Sequence, residues 1–302
     1  MRGRFQAITV SAVCAALCLL FPPLSYISGA VIGLVTLRNG VLEGAYVIGG
    51  SVLLAGVFTA VMVSSPYPVV VFAVVTWIPV WLLAVVLRSG QSQGLAVTAA
   101  GVVGAFGVIA LNLLLDSPAA WWRELLDQAI FQTVKQSQLD VDTQTLDRLA
   151  GVLDDVAPLM TGLVAAGTVF GLFLTLMLAR WWHALLDNPG GFGKEFRALR
   201  VDRRVAVVAI IITALALFTE GTVRSVCGEL LWLVGVVYIF QCLAVIHSVV
   251  VSRGAAVGWL VALYVLLAVF PPQVLVLLAI GGFIDAWVDL RHRLGAGLAQ
   301  SK

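Results

Sequence analysis

Apolar residues in this chain fall in long continuous runs rather than in alternation, and the runs set the elements. Ten segments stand out, at about 5–21, 24–37, 41–63, 69–87, 94–115, 157–179, 205–219, 230–251, 255–270 and 274–288. Runs of this kind predict helices in lipid, because a bilayer offers the backbone no partner and the helix supplies its own. The breaks between runs carry turn chemistry: Asn39-Gly40, Pro66 and Pro68, Ser89-Gly90. Two stretches are polar and long, one from Asp116 to about Val156 and one from Arg180 to Arg204.

Two of the runs are interrupted by paired prolines. Phe21-Pro22-Pro23 near the start has an echo in Phe270-Pro271-Pro272 near the end, and each pair leads into a short glycine-bearing apolar segment. Proline removes an amide donor and clashes with the preceding turn, so each pair is either a kink in one long helix or the tip of a hairpin. Basic residues arbitrate, because they concentrate on the cytoplasmic side. With both pairs as outer hairpin tips, 14 of the 18 Lys and Arg fall inside; with both as kinks, the split is nine against nine. The sequence therefore predicts two hairpins and cytoplasmic termini. The flanking segments are short, roughly 21–25 Å against a hydrocarbon core of about 30 Å. Eight to ten membrane segments are expected, some short and proline-broken, in one all-α polytopic bundle spanning residues 1–302.

Composition agrees with that picture. Of 302 residues 61% are hydrophobic and 11% charged, whereas a soluble domain carries about 25% charge. The lipid bilayer is thus the principal partner, and nothing points to nucleic acid. Arg2 and Arg4 followed by an apolar run without a small-x-small site read as an uncleaved first span. Cys14 and Cys18 share a helical face with no His or carboxylate beside them, so they read as buried thiols, and no metal or other cofactor is expected. His183, His247 and His292 fall in no catalytic pattern, and no enzymatic activity is expected.

The polar stretches predict surface elements. Residues 116–156 read as an amphipathic helical hairpin on the outer face, either a lid or an interfacial linker. Residues 180–204 read as a basic cytoplasmic loop whose Phe192, Phe196 and Leu199 lie on anionic headgroups or meet a partner protein. The "GGFGKE" within it lacks the first glycine and the hydroxyl residue of a phosphate loop and binds no nucleotide.

Polar side chains at membrane depth are costly, and each is a candidate site. Asn112 and Gln241 sit inside apolar runs, and two roles stand for them: ligand binding, or hydrogen bonds that join helices. Glu220 and Arg224, with Glu229, fall in an expected outer loop, where they either meet a charged ligand or are simply solvated. Small residues repeat every four positions at Ala96, Ala100 and Gly104, at Gly167 and Gly171, and at Ala45 and Gly49, a pattern for close helix packing.

Three stretches carry a resemblance: the opening "FPPLSYISGAVIGLVTLRNG", the loop "GGFGKEFRALRVDRR" and the ending "GGFIDAWVDLRHR". Together they resemble the YybS-like family of bacterial polytopic membrane proteins of unknown function. That family is similar to the substrate-binding S components of energy-coupling-factor transporters. The resemblance implies a bundle in the bacterial inner membrane with an outward cavity and a small-residue face that docks on a transport module. It carries over no substrate pocket residue by residue, and the long 116–156 insertion departs from a compact S component. Transport-related small-molecule binding is the expected function, with a scaffold that recruits partners through the inner loop as the alternative. In the ending, Asp285 reads as a cap at the membrane edge, and Asp289 and Arg293 read as an ion pair one turn apart.

Overall fold

The structure is a computed structural model that describes residues 3–18, 20–137, 142–291 and 293. Arg2, Asp140, His292 and Lys302 lie outside the described residues. The described residues form helices and no strand: α1 (Arg4–Leu17), α2 (Leu24–Asn39), α3 (Val41–Val63), α4 (Tyr67–Phe72), α5 (Ile78–Gly90), α6 (Gln93–Leu114), α7 (Pro118–Ser137), α8 (Thr143–Val156), α9 (Met160–Asp187), α10 (Gly191–Arg197), α11 (Arg203–Phe218), α12 (Gly221–Ser252), α13 (Gly258–Val269) and α14 (Pro271–Val288). Each of the ten apolar segments coincides with a helix. By length and composition six stretches are able to cross a membrane: Val41–Met62, Tyr67–Gly90, Gln93–Leu114, Gln144–Asp187, Gly221–Ser252 and Pro271–Val288. The helices Arg4–Leu17 and Gly258–Val269 are apolar but shorter.

The chain divides into two compact units. The first holds Met1–Gly101, Val169–Ala206 and Gly235–Lys302; the second holds Val102–Thr168 and Val207–Val234.

In the first unit the Pro22-Pro23 site is a hairpin. The chain leaves α1 after Leu17, turns through Pro22 and Pro23, and returns as α2 packed along α1. Two buried serines fasten the pair. Ser28 Oγ donates to the Ser11 carbonyl at 2.8 Å, and Ser11 Oγ reaches the Ser28 carbonyl at 3.2 Å. The fully buried Trp77 donates its indole N–H to Ser28 Oγ at 2.9 Å. A buried indole N–H needs an acceptor, and here it selects the serine that already joins the hairpin. Trp77 ends a π-helical turn, Ala73–Trp77, that interrupts the long run between α4 and α5 just before Pro79. Helix interruptions of this type accompany proline or inserted π-turns.

Lipid supplies no hydrophobic drive between helices, so contact distance and hydrogen bonding decide the packing. On α1 the buried residues are small, Ala7, Ser11, Ala12 and Ala15, and they pack with Val31, Ile32, Val47 and Trp77 in one apolar cluster. On α2, Gly29 lies against Thr175 and Gly33 against Ala179 of α9. Arg88 of α5 donates to the Thr36 carbonyl at 3.2 Å and to the Leu37 carbonyl, closing the end of α2. The second diproline also ends a helix: Phe270 breaks to φ −127°, ψ 58°, and α14 starts at Pro271 and packs on α13.

The tightest backbone approaches are not at the motifs the sequence singled out. A Cβ on Gly282 would overlap the Tyr238 carbonyl, and one on Gly94 would overlap the Arg200 carbonyl. Ala96 and Ala100 are fully buried, as the spacing predicts, and Gly104 is half-buried. Gly171 touches the Tyr26 ring, whereas Gly167 is exposed and faces open space, as does Gly49. Only part of each four-residue repeat is therefore used inside the described chain. Gly282→Ala and Gly94→Ala are each expected to destabilise the detergent-solubilised protein by about 1–3 kcal/mol through overpacking. Gly167→Ala is expected to be neutral or to stabilise by up to about 1 kcal/mol through helix propensity; thermal unfolding of the three variants checks the contrast.

Candidate functional site

In the second unit, α12 begins at Gly221, well before the start expected near 230. Gly228, between Arg224 and the apolar run, stays helical, and Gly221, at φ 62°, makes the entry turn. Arg224 and Glu229 are thus helical residues rather than members of an outer loop, which corrects the sequence reading. Glu229 is turned inward and only 6% exposed. Asn112 of α6 donates its Nδ2 to Glu229 Oε2 at 2.8 Å and to the Val108 carbonyl at 3.0 Å. Among the described residues Glu229 Oε1 makes no hydrogen bond.

The helix turn that carries Glu229 packs beside tryptophan. Gly162 of α9 lies against the Glu229 Cα and the Trp232 indole, so closely that a Cβ there would meet the ring. The preceding residue, Thr161, is buried and accepts the Trp122 indole N–H at 3.0 Å. Trp122 in turn meets Trp121 edge to face, with ring centres 4.7 Å apart. The adjacent residues Thr161 and Gly162 thereby link Trp122 on one side to Trp232 and Glu229 on the other. The 116–156 stretch is a helical pair, α7 and α8, as expected. Arg123 joins the two, pairing with Asp127 on its own helix and with Asp154 Oδ1 at 2.6 Å. Hydrogen bonds to Asp127 and then Asp154 hold the Arg123 pKa above its ordinary value.

The first unit also holds a buried carboxyl group, and its surroundings differ. Gln241 of α12 is 1% exposed; its Oε1 accepts the Val201 N–H at 3.0 Å, and its Nε2 donates to Asp285 Oδ2 at 2.9 Å. Asp285 Oδ1 accepts the Leu290 N–H at 2.9 Å. Around this core the 197–204 segment is tied to the end of α14. Arg200 forks onto Asp289 at 2.9 and 3.0 Å. Arg203 Nε donates to the Ala286 carbonyl at 3.1 Å and its Nη2 to the Trp287 carbonyl at 3.3 Å. Arg291 donates Nη1 to the Arg197 carbonyl at 2.7 Å and Nη2 to the Leu199 carbonyl. Cations at a helix C-terminus meet its free carbonyls and its negative dipole end. Burial pushes the Arg291 pKa down from its ordinary value. Asp289 sits in the left-handed region at φ 48° and closes α14, so its partner is Arg200, far along the chain, in place of the one-turn pair with Arg293.

Residues 9–286 match the family model described as a predicted membrane protein, DUF2232. The chain belongs to this family. No curated protein and no solved structure matches it. In this DUF2232 protein the fold and the family agree on a multi-pass membrane protein.

Of the residues singled out in this DUF2232 chain, Asn112 enters the Glu229 site and Gln241 enters the Asp285 joint, in different units. Glu220 and Arg224 are exposed, and neither makes an ion pair among the described residues. Sequence reasoning missed Thr161, Trp122 and Trp232, and it put Glu229 in an outer loop, either beside a charged ligand or solvated. The usable signal was the unbroken 221–252 run, which places Glu229 twelve residues before Gln241 on one helix. The basic loop differs too. Phe196 is 8% and Leu199 1% exposed, so this apolar face is turned into the protein and not onto headgroups. Among the described residues no group of three His, Cys, Asp or Glu is placed to hold a metal.

The Asp285 joint uses both oxygens of the carboxyl group and both ends of the Gln241 amide. Gln241→Leu strands Asp285 and the Val201 N–H together. It is expected to cost about 1–3 kcal/mol for the desolvated groups left unpaired, read as a lowered midpoint of thermal unfolding in detergent.

Proposed function

We propose that this protein binds a small solute bearing an ammonium group within the membrane, as part of a transport process, and that Glu229 holds the solute's charge. One observation carries the reading: Glu229, a residue only 6% exposed in the Gly221–Ser252 helix, has one neutral side-chain partner, Asn112, and one carboxyl oxygen without a hydrogen bond among the described residues. An ionised carboxylate in a low-dielectric region calls for a cation or several donors, and membrane-embedded ionisable groups mark solute pathways. Trp232 lies one helical turn beyond Glu229, and an ammonium ion is attracted to indole faces. Glu220 and Arg224, at the exposed start of the same helix, are read as the first charges a solute meets.

The topology that accompanies this reading has ten membrane segments with both termini in the cytoplasm of a bacterial cell. It rests on the 14 basic residues gathered on one side by the two diproline reversals. The resemblance to the YybS-like family, and through it to S components, belongs to the same reading, as does the assignment of binding without catalysis. A scaffold that recruits partners through residues 180–204 is less favoured. Arg200 and Arg203 of that segment are engaged within the protein, Arg180 pairs with Glu195, and the apolar side chains Phe196 and Leu199 are buried.

Thermal unfolding of the full chain in lipid nanodiscs, with a panel of primary and quaternary ammonium solutes and their neutral isosteres, tests the binding claim. A ligand at a hundredfold excess over its Kd stabilises by about 2.7 kcal/mol. Such stabilisation is expected from ammonium solutes with the wild-type chain and is absent from Glu229→Gln, which retains the Asn112 contact. A panel without effect on the wild type, or an effect that survives in Glu229→Gln, contradicts the proposal.

A further inference from the structure

One cleft of the first unit has no part in the solute site. It encloses about 660 Å³ where the start of α1, the end of α2 and the start of α3 converge beside α9. That volume is in the range of small-molecule sites. Its polar side is made by Arg4, Arg38, Asn39 and Glu43, and its apolar side by Ala7, Leu34, Val35 and Leu186.

Local structure holds the polar groups in place. Gly40, at φ 117°, turns α2 directly into α3 and so brings Arg38 and Asn39 next to Glu43. Arg88 closes the last turn of α2, the turn that carries Arg38. Arg4 is held by a two-point pairing with Glu43, with Nε to Oε2 at 2.6 Å, and its guanidinium lies 5.2 Å from the Tyr46 ring centre. Arg38 pairs loosely with Asp187, at 3.3 and 3.5 Å. Both guanidinium groups keep Nη1 without a hydrogen bond among the described residues. Each guanidinium thus has a carboxylate beside it, Glu43 for Arg4 and Asp187 for Arg38, and each keeps one nitrogen free to donate to a further acceptor.

We propose that this cleft is a binding site for a phosphate group, held by Arg38 and Arg4 with Asn39 beside them. Guanidinium groups bind phosphate oxygens through charge-assisted forks. The apolar wall beneath a rim of guanidinium donors matches an amphiphile, and arginine-bearing pockets between membrane helices take phospholipid headgroups. The phosphate has two sources with one chemistry, a phospholipid and a soluble glycerol phosphate.

Native mass spectrometry of the delipidated full chain distinguishes them. The probes are phosphatidylglycerol, diacylglycerol with the same acyl chains, and sn-glycerol 3-phosphate. The variants are Arg38→Gln, Arg38→Lys and, as an equal change of charge outside the cleft, Arg204→Gln. Phosphatidylglycerol is expected to remain on the wild type and Arg204→Gln, and to fall by about tenfold or more in Arg38→Gln, the scale of one lost charge-assisted fork. Diacylglycerol is not retained. If Arg38→Gln does not fold, the same loss in Arg38→Lys, which keeps the charge and removes the fork, decides the matter. Retention of glycerol phosphate alone, dependent on Arg38, supports the site with a soluble source. Equal retention of phosphatidylglycerol in the folded Arg38 variants, retention of diacylglycerol, or binding of neither phosphate overturns the proposal.

Discussion

The indole of Trp77 bonded to Ser28, and Ser28 bonded to Ser11, form the contact on which the order of the first unit depends. In lipid a hydroxyl or an indole N–H has no water to turn to, so a polar side chain on a membrane helix specifies a neighbour more strictly than an apolar one does. Ser11 and Ser28 lie on opposite sides of the Pro22-Pro23 turn, on α1 and α2. Their reciprocal bonds to each other's carbonyls exist only if the chain doubles back there. Everything after that point inherits its direction: the Arg38–Asn39 turn, the Gly40 reversal, and the helices that follow.

The same rule sorts the two inward carboxyl groups. Asp285 has a donor on each oxygen and stands in a joint where three arginines from distant positions bind carbonyls and Asp289. Its bonding capacity is spent on holding the 197–204 segment to the end of α14, which is a structural role. Glu229 has a donor on one oxygen only, and that donor is neutral. Two residues of the same chemistry on packed membrane helices thus divide by what surrounds them, one closed and one open to a further partner.

Much of the fold was legible in the sequence because membrane helices announce themselves by length. The ten apolar runs all became helices, and the diproline pairs ended them as the chemistry of proline requires. Residues 116–156 formed the expected helical pair. What was not legible is of two kinds. The π-turn before Pro79 is a local deviation inside a continuous run that no charge marks, and the early start of α12 is hidden by Arg224, Gly228 and Glu229, which have the composition of a loop. The partners of Arg200, Arg203 and Arg291 lie some ninety residues away, and no spacing rule reaches that far. Asn112 and Gln241 were found as polar residues in apolar runs, but the sequence left open whether each joins helices or meets a ligand. Gln241 resolves as a joint because its Val201 and Asp285 contacts use the whole amide. Glu229 was placed with Glu220 and Arg224 in an outer loop, and not at membrane depth, because the helix was read as starting near 230.

The central claim is that the diproline sites return the chain to the side it came from, so that Arg4 and Arg38, on either side of Pro22-Pro23, share the cytoplasmic side of the membrane. Both are exposed, which makes them accessible to a thiol probe once replaced by cysteine. The most direct measurement is labelling of Arg4→Cys and Arg38→Cys in intact bacterial spheroplasts with a membrane-impermeant maleimide, in a background lacking Cys14, Cys18, Cys227 and Cys242. Label on both positions only after permeabilisation is the predicted result. Label on position 4 or on position 38 in intact spheroplasts would contradict it.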